Sequence, residues 1–134
     1  PKPGGYAAII VDIHGEATSE KMAMGHLADG KASLVVGSHT HVPTGDAHIL
    51  EHGTGYQTDA GMCGDYNSVI GMEKTGSLQR FRRRFPSPRL SPAEGEGTLC
   101  GTFLETDDAT GLAKAISPVR IGGRLQEQLP QFDD

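Results

Sequence analysis

The chain has 134 residues and a mass of 14.1 kDa, the size of one ordinary domain or of part of one. Hydrophobic residues make up 36%, so the core is modest, and the net charge of −5 excludes a general nucleic-acid binder that relies on phosphate attraction. No window approaches the roughly 18 apolar residues of a membrane span, and no signal-peptide pattern opens the chain. Two cysteines, Cys63 and Cys100, are too few for a disulfide scaffold, so a cytoplasmic chain with reduced thiols is expected.

The opening Pro1-Lys2-Pro3-Gly4-Gly5 lacks an initiator Met and reads as a sequence that begins partway through something. Residues 6–13 are nearly continuously apolar and rich in β-branched side chains, the pattern of a buried parallel strand. Thr18 or Ser19 can cap a helix running to about Asp29, with Glu20 in its positive first turn and Gly30 as its stop. Residues 32–36 are a second short apolar strand, which completes a βαβ unit. Residues 48–50 and 55–58 read as two short strands joined through Glu51-His52-Gly53-Thr54, and 72–84 as a helix. Pro86, Pro88 and Pro92 then bar regular structure until about Glu96. Residues 98–105 and 112–121 predict a β-hairpin around the turn-rich 107–111, and the polar, acidic 125–134 reads as a frayed terminus.

Three of the six histidines have informative positions. His14 follows the first strand, and His39 and His41 follow the second. In α/β sheets ligands bind beyond the carboxyl ends of strands, so parallel neighbours would gather these rings at one edge. The i, i+2 spacing puts His39 and His41 on one side of an extended segment, and Gly37 lets the backbone turn just before them. Convergent neutral imidazoles suit Zn, Fe, Mn or Ni ions; the alternative is that each is a polar loop residue. Asp12 can orient an imidazole through its second nitrogen or serve as a strand-end turn residue. His26, His48 and His52 lack ligand partners at useful spacing and stay outside the site. Cys63, in a glycine-rich loop, is a weak candidate nucleophile with nothing to lower its pKa. Arg80, Arg82, Arg83, Arg84 and Arg89 form a basic cluster suited to a helix end or to an anionic ligand. Tyr56 and Tyr66 fit the core better than a base-stacking role.

The segments Ile10-Val11-Asp12-Ile13-His14-Gly15-Glu16-Ala17-Thr18-Ser19-Glu20-Lys21, Val36-Gly37-Ser38-His39-Thr40-His41-Val42-Pro43-Thr44 and Thr58-Asp59-Ala60-Gly61-Met62, with Val69-Ile70-Gly71-Met72, resemble the YmdB-type branch of the calcineurin-like metallophosphoesterases. The likeness runs from about residue 6 to residue 121. It implies an α/β fold, the C-terminal half of a β-sandwich flanked by helices, over residues 1–121, followed by a polar tail over 122–134. It implies two divalent or trivalent transition-metal ions, Fe or Mn, with Zn as a further candidate. His14 and His39 would ligate one ion and His41 the other, with no catalytic side chain in this chain; Asp12, placed by its spacing from His14, would stand behind the ligands. The implied reaction is hydrolysis of phosphodiesters, above all 2′,3′-cyclic nucleotides and also 3′,5′-cyclic ones.

The sequence departs from the family pattern by lacking an N-terminal half: an Asp after the first strand, a bridging acidic residue, and an Asn followed by an acid-catalytic His. These 134 residues alone are therefore expected to be inactive, with the missing half supplied in cis or in trans. An unpaired sheet edge would favour a homo-oligomer. Two other readings stay open: a non-catalytic binding or assembly module that retains a remnant of the fold, and a mononuclear structural zinc protein.

Overall fold

A computed structural model describes residues 5–82 and 89–131. Strand β1 (Ile10–His14), helix α1 (Thr18–Ala28) and strand β2 (Leu34–Ser38) form the expected βαβ unit, with β1 and β2 parallel from Ile10↔Leu34 to His14↔Ser38. Strands β3 (His48–Ile49) and β4 (Gly55–Gln57) are antiparallel to each other, and β4 runs parallel to β2, giving the sheet order β1-β2-β4-β3. Helix α2 (Lys74–Arg82) follows, and β5 (Leu99–Thr106) and β6 (Ala113–Ile121) form a separate antiparallel hairpin. Asp107 closes its turn by accepting from the backbone N–H groups of Ala109 at 2.9 Å and Thr110 at 2.8 Å.

The layers follow from strand alternation. Tyr56 of β4 points to α1, where Gly25 leaves room for it: a Cβ at Gly25 would stand 2.7 Å from the Tyr56 ring. Its neighbours point the other way. Gly55 faces Leu104 and Ile116, and Gln57 Oε1 accepts from Thr102 Oγ1 at 2.7 Å, so the hairpin covers the opposite face. The fold is thus mixed α/β, with the main sheet between α1 and the β5–β6 hairpin. Val35, Leu50 and Tyr56 make the small core, with Val11, Ile13, Met24 and Ala28 packed on it. Buried polar side chains knit the rest. Thr54 Oγ1 accepts from Gly30 N at 2.9 Å and donates to Ala32 O at 2.6 Å, fixing the turn between α1 and β2.

Several expectations change. The first strand is not buried: it starts only at Ile10, and Tyr6 and Ile10 are 67% and 64% exposed. An apolar run reads as buried on both faces, but β1 is an edge strand that buries only alternate residues, Val11 and Ile13. Neither Thr18 nor Ser19 caps α1; Ala17 stands at the N-cap with no side-chain bond, and Gly30 (φ 75°) ends the turn after it as expected. Helix α2 buries no residue, and residues 83–88, with Arg83, Arg84, Pro86 and Pro88, lie outside the described residues. The C-terminal segment is not wholly frayed. Gln128 exchanges backbone bonds with Arg120 at 2.8 and 2.9 Å, which ties it to β6. No helix among the described residues is long and apolar enough to cross a membrane.

Candidate metal centre

The parallel register of β1 and β2 sets their last residues, His14 and Ser38, opposite each other. Ser38 Oγ lies 3.0 Å from His14 Nδ1, which occupies that nitrogen and turns Nε2 outward past the strand ends. His39 Nδ1 stands 3.1 Å from His14 Nε2, the rings meeting edge to face with centroids 4.9 Å apart and planes at 81°. The other nitrogen of His39, Nε2, lies 2.5 Å from Glu16 Oε2. His41 donates through Nδ1 to the Ile70 carbonyl at 2.9 Å. The three rings line one cavity of about 200 Å³ together with Ser38, Asp59, Gly61 and Met62.

The three histidines therefore share one cavity, but not through an extended segment. His39 has φ 127° and His41 φ 65°, conformations that L-residues adopt rarely and at a cost of about 1–3 kcal/mol each. Asp59 offsets that cost. Its Oδ2 accepts from Thr40 N at 2.8 Å, between the two strained residues, and its Oδ1 accepts from Gly61 N at 2.9 Å. Lys21 Nζ meets Oδ2 at 3.3 Å, and both side chains are 1% exposed. Lysine is almost never buried unless paired. Burial alone would raise the Asp59 pKa; the hydrogen bonds from Thr40 and Gly61 and the contact with Lys21 outweigh it and hold the carboxyl below its ordinary value.

Gly37 also has a different role from the one expected. It lies within β2, and the space where a Cβ would sit is filled by the Thr58 carbonyl oxygen and by Lys21 Cδ. Close approach, not a turn, requires glycine there. Ile70 and Gly71 (φ 48° and 88°) are the central residues of a tight turn closed by Val69 and Met72, which bond each other at 2.9 Å both ways. Two positive φ values are the mark of a type I′ turn, and this one aims the Ile70 carbonyl at His41.

The donor set fits part of a metal shell. His14 Nε2 and His39 Nδ1, 3.1 Å apart, are close enough to serve as donors to one ion, and in its absence the same separation is that of an N–H···N hydrogen bond. Each ring has one nitrogen tied to a neighbour outside the three histidines, Ser38, Glu16 or the Ile70 carbonyl, as metal-bound histidines usually have. Among the described residues, however, no three His, Cys, Asp or Glu side chains stand together as a complete ion-binding group. Asp12 lies on the exposed side of β1, and among the described residues its side chain makes no hydrogen bond; Ser38 Oγ is what meets His14 Nδ1.

The remaining candidates fall elsewhere. His52 pairs with Asp29 at 2.9 Å, His48 packs on Tyr56, and His26 is exposed on α1. Cys63 and Cys100 are free; Cys63 does not line the cavity, and its thiol donates to the Cys100 carbonyl at 3.3 Å. Tyr56 is a core residue, 1% exposed, and Tyr66 accepts from Met62 N and donates to Met62 O. Sequence reasoning missed Glu16, Lys21, Ser38, Asp59 and Ile70. Ser38 and Asp59 were within reach, because both lie at or just past the carboxyl ends of parallel strands.

These polar side chains stand at the carboxyl edge of a parallel-stranded α/β unit, the place where such sheets carry ligand sites. The profile of the YmdB-like protein family matches residues 3–119, and the chain belongs to that family. It is 47% identical over 113 residues to a Bacillus subtilis (strain 168) protein named 2′,3′-cyclic-nucleotide 2′-phosphodiesterase, the match covering 84% of this chain and 42% of that one. A crystal structure of a hypothetical protein from Thermus thermophilus superposes with a TM-score of 0.79 at 47% identity, covering 86% of this chain and 44% of that one. Another, of a novel phosphatase from Mycoplasma pneumoniae, gives 0.77 at 37% identity, covering 83% and 40%. The chain spans about two fifths of the length of these relatives.

Proposed function

We propose that this chain is the histidine-bearing portion of a metal-dependent phosphodiesterase that hydrolyses cyclic nucleotides, 2′,3′-cyclic ones foremost and 3′,5′-cyclic ones as a further class. The observation that carries this is the convergence of His14 Nε2 and His39 Nδ1 at 3.1 Å in a cavity that His41 also lines. The Bacillus relative, named for 2′,3′-cyclic nucleotides, supports the substrate class. Charge supports it too. Among the described residues the cavity lining includes no Lys or Arg, so cations held by the imidazoles would supply the positive charge that a phosphodiester anion meets there.

His14 and His39 would hold one ion and His41 a second, of Fe or Mn, with further ligands supplied in cis or in trans. When bound, such ions would supply an activated water and positive charge opposite the phosphoryl oxygens. The chain's own residues do the positioning. Ser38 sets the plane of His14, the Ile70 carbonyl fixes His41 with Nε2 free, and Asp59 holds the strained loop between them. The cavity is smaller than the roughly 300–1,000 Å³ that encloses a whole ligand, so it suits ions and a phosphoryl group while the nucleoside lies outside it.

The test is turnover of 2′,3′-cyclic AMP and of a bis-aryl phosphodiester with Mn²⁺, using a chain of the relatives' full length. Activity is expected in that chain and not in these 134 residues alone, with loss of at least about 100-fold in kcat for His39→Ala at unchanged stability. Turnover that survives loss of both His39 and His41 overturns the assignment. A second reading, a non-catalytic module that associates through its sheet, is favoured by one observation: β1 is an edge strand with no outer partner among the described residues. A stable oligomer in sedimentation that binds no metal supports that reading instead.

A further inference from the structure

We propose that Glu16 is a positioning residue for His39: its carboxylate accepts the Nε2–H of the ring and leaves Nδ1 unprotonated, facing His14 Nε2. The inference deepens the function proposed above and rests on His14 and His39 being metal ligands.

His39 needs such an anchor more than the other two histidines do. His14 ends a strand, so its backbone is set by pairing, and Ser38 fixes its ring. His39 sits past the strand at φ 127°, where no regular element sets the direction of the side chain. Asp59 holds the backbone one residue on, at Thr40, and does not touch the ring. The carboxylate of Glu16, 2.5 Å from Nε2, is what the ring meets on its outer side.

The turn after β1 places this group economically. Glu16 lies two residues beyond His14, between β1 and the start of α1, so the same turn delivers one ring and the anchor of the other. The two tautomers of a free imidazole differ little in energy. Water screens a carboxylate as exposed as that of Glu16, but the gap between tautomers is small enough for even a weakened charge-assisted bond to bias them. Such a bond also makes the opposite nitrogen a better donor. The anchors of His14 and His41 are neutral, a hydroxyl and a carbonyl; His39 alone among the three receives a carboxylate. Glu16 is 87% exposed, so its replacement leaves packing untouched and the fold is not at risk.

The experiment uses Glu16→Ala and Glu16→Gln in the 134-residue chain, with two readouts. The first is long-range ¹H–¹⁵N correlation of the histidine rings in metal-free protein at about pH 8.5, well above the ordinary imidazole pKa. The second is calorimetric titration with Zn²⁺. In the unmodified chain His39 is expected to show a protonated Nε2 and a bare Nδ1. Glu16→Ala should give mixed tautomers and Zn²⁺ affinity about 10- to 100-fold weaker. Glu16→Gln, whose amide oxygen can accept the same bond without the charge, should restore the tautomer and recover part of the affinity. Unchanged His39 signals, or unchanged Zn²⁺ affinity, in Glu16→Ala overturn the proposal. If the unmodified chain binds no Zn²⁺ while the alanine variant still shifts the His39 signals, the metal reading fails and the Glu16–His39 pairing stands.

Discussion

At the residue scale, the buried Lys21–Asp59 pair supports the loop that carries His39 and His41 through a bond to the Thr40 backbone. Asp59 gathers Thr40 N, Gly61 N and Lys21 Nζ on one carboxylate, so loss of either charge strands the other in a place from which water is excluded. Lys21→Met or Asp59→Asn is expected to lower the unfolding free energy by about 3–5 kcal/mol, measured by urea denaturation. Acid should act through the same carboxylate. Its folded pKa lies below the ordinary 3.8, so the stability it contributes is present above that value and is lost as pH falls through the folded one. Asp46, lowered by Thr44 and Thr58 against its own burial, adds in the same sense. Stability should therefore fall with decreasing pH below about 4, and less steeply in Asp59→Asn.

At the element scale, two short segments carry strain or crowding that substitutions can read. An alanine Cβ at Gly37 would meet the Thr58 carbonyl oxygen and, at 2.9 Å, Lys21 Cδ. Gly37→Ala is expected to cost about 1–3 kcal/mol or more and to loosen the His39–His41 loop, seen as raised hydrogen exchange at Thr40. The 69–72 turn offers the opposite case. Ile70, a β-branched residue at φ 48°, is 56% exposed and gives up little packing if replaced. Ile70→Asn should stabilise the chain by roughly 1 kcal/mol in thermal unfolding while its backbone carbonyl still receives His41 Nδ1. A loss of stability would show that Ile70 packs more than its exposure suggests.

How far the sequence reached differs between these elements. The βαβ unit and the hairpin were legible because apolar runs and turn residues mark them locally, and the two strand-end histidines followed from parallel pairing. The edge position of β1 was not legible, since burial on one face or two depends on neighbours that the run itself does not name. Nor were His39 and His41 at positive φ, because the cause lies in Asp59, about twenty positions along the chain. Glu16 and Ile70 stand in the motif segments without a legible role, since hydrogen-bond geometry at a ring nitrogen has no signature in spacing.

At the scale of the whole molecule, a small core and an exposed edge strand set the behaviour. Among the described residues Val35, Leu50 and Tyr56 form the buried apolar cluster, while Thr54, Gln57 and Asp59 are held by hydrogen bonds. Ile10 and Tyr6, beside the unpaired edge of β1, lie open to solvent among the described residues. Such an edge accepts another strand. Concentration-dependent association is expected in sedimentation, and a charge placed by Ile10→Lys should reduce it; a chain that stays monomeric at high concentration contradicts this.

Whether the imidazoles of His14, His39 and His41 meet around bound cations is tested most directly by anomalous diffraction from crystals soaked in Mn²⁺. The predicted result is a peak about 2.0–2.3 Å from both His14 Nε2 and His39 Nδ1, lost in His39→Ala. A map with no peak between those two nitrogens, or with the rings turned so that they no longer face each other, contradicts it.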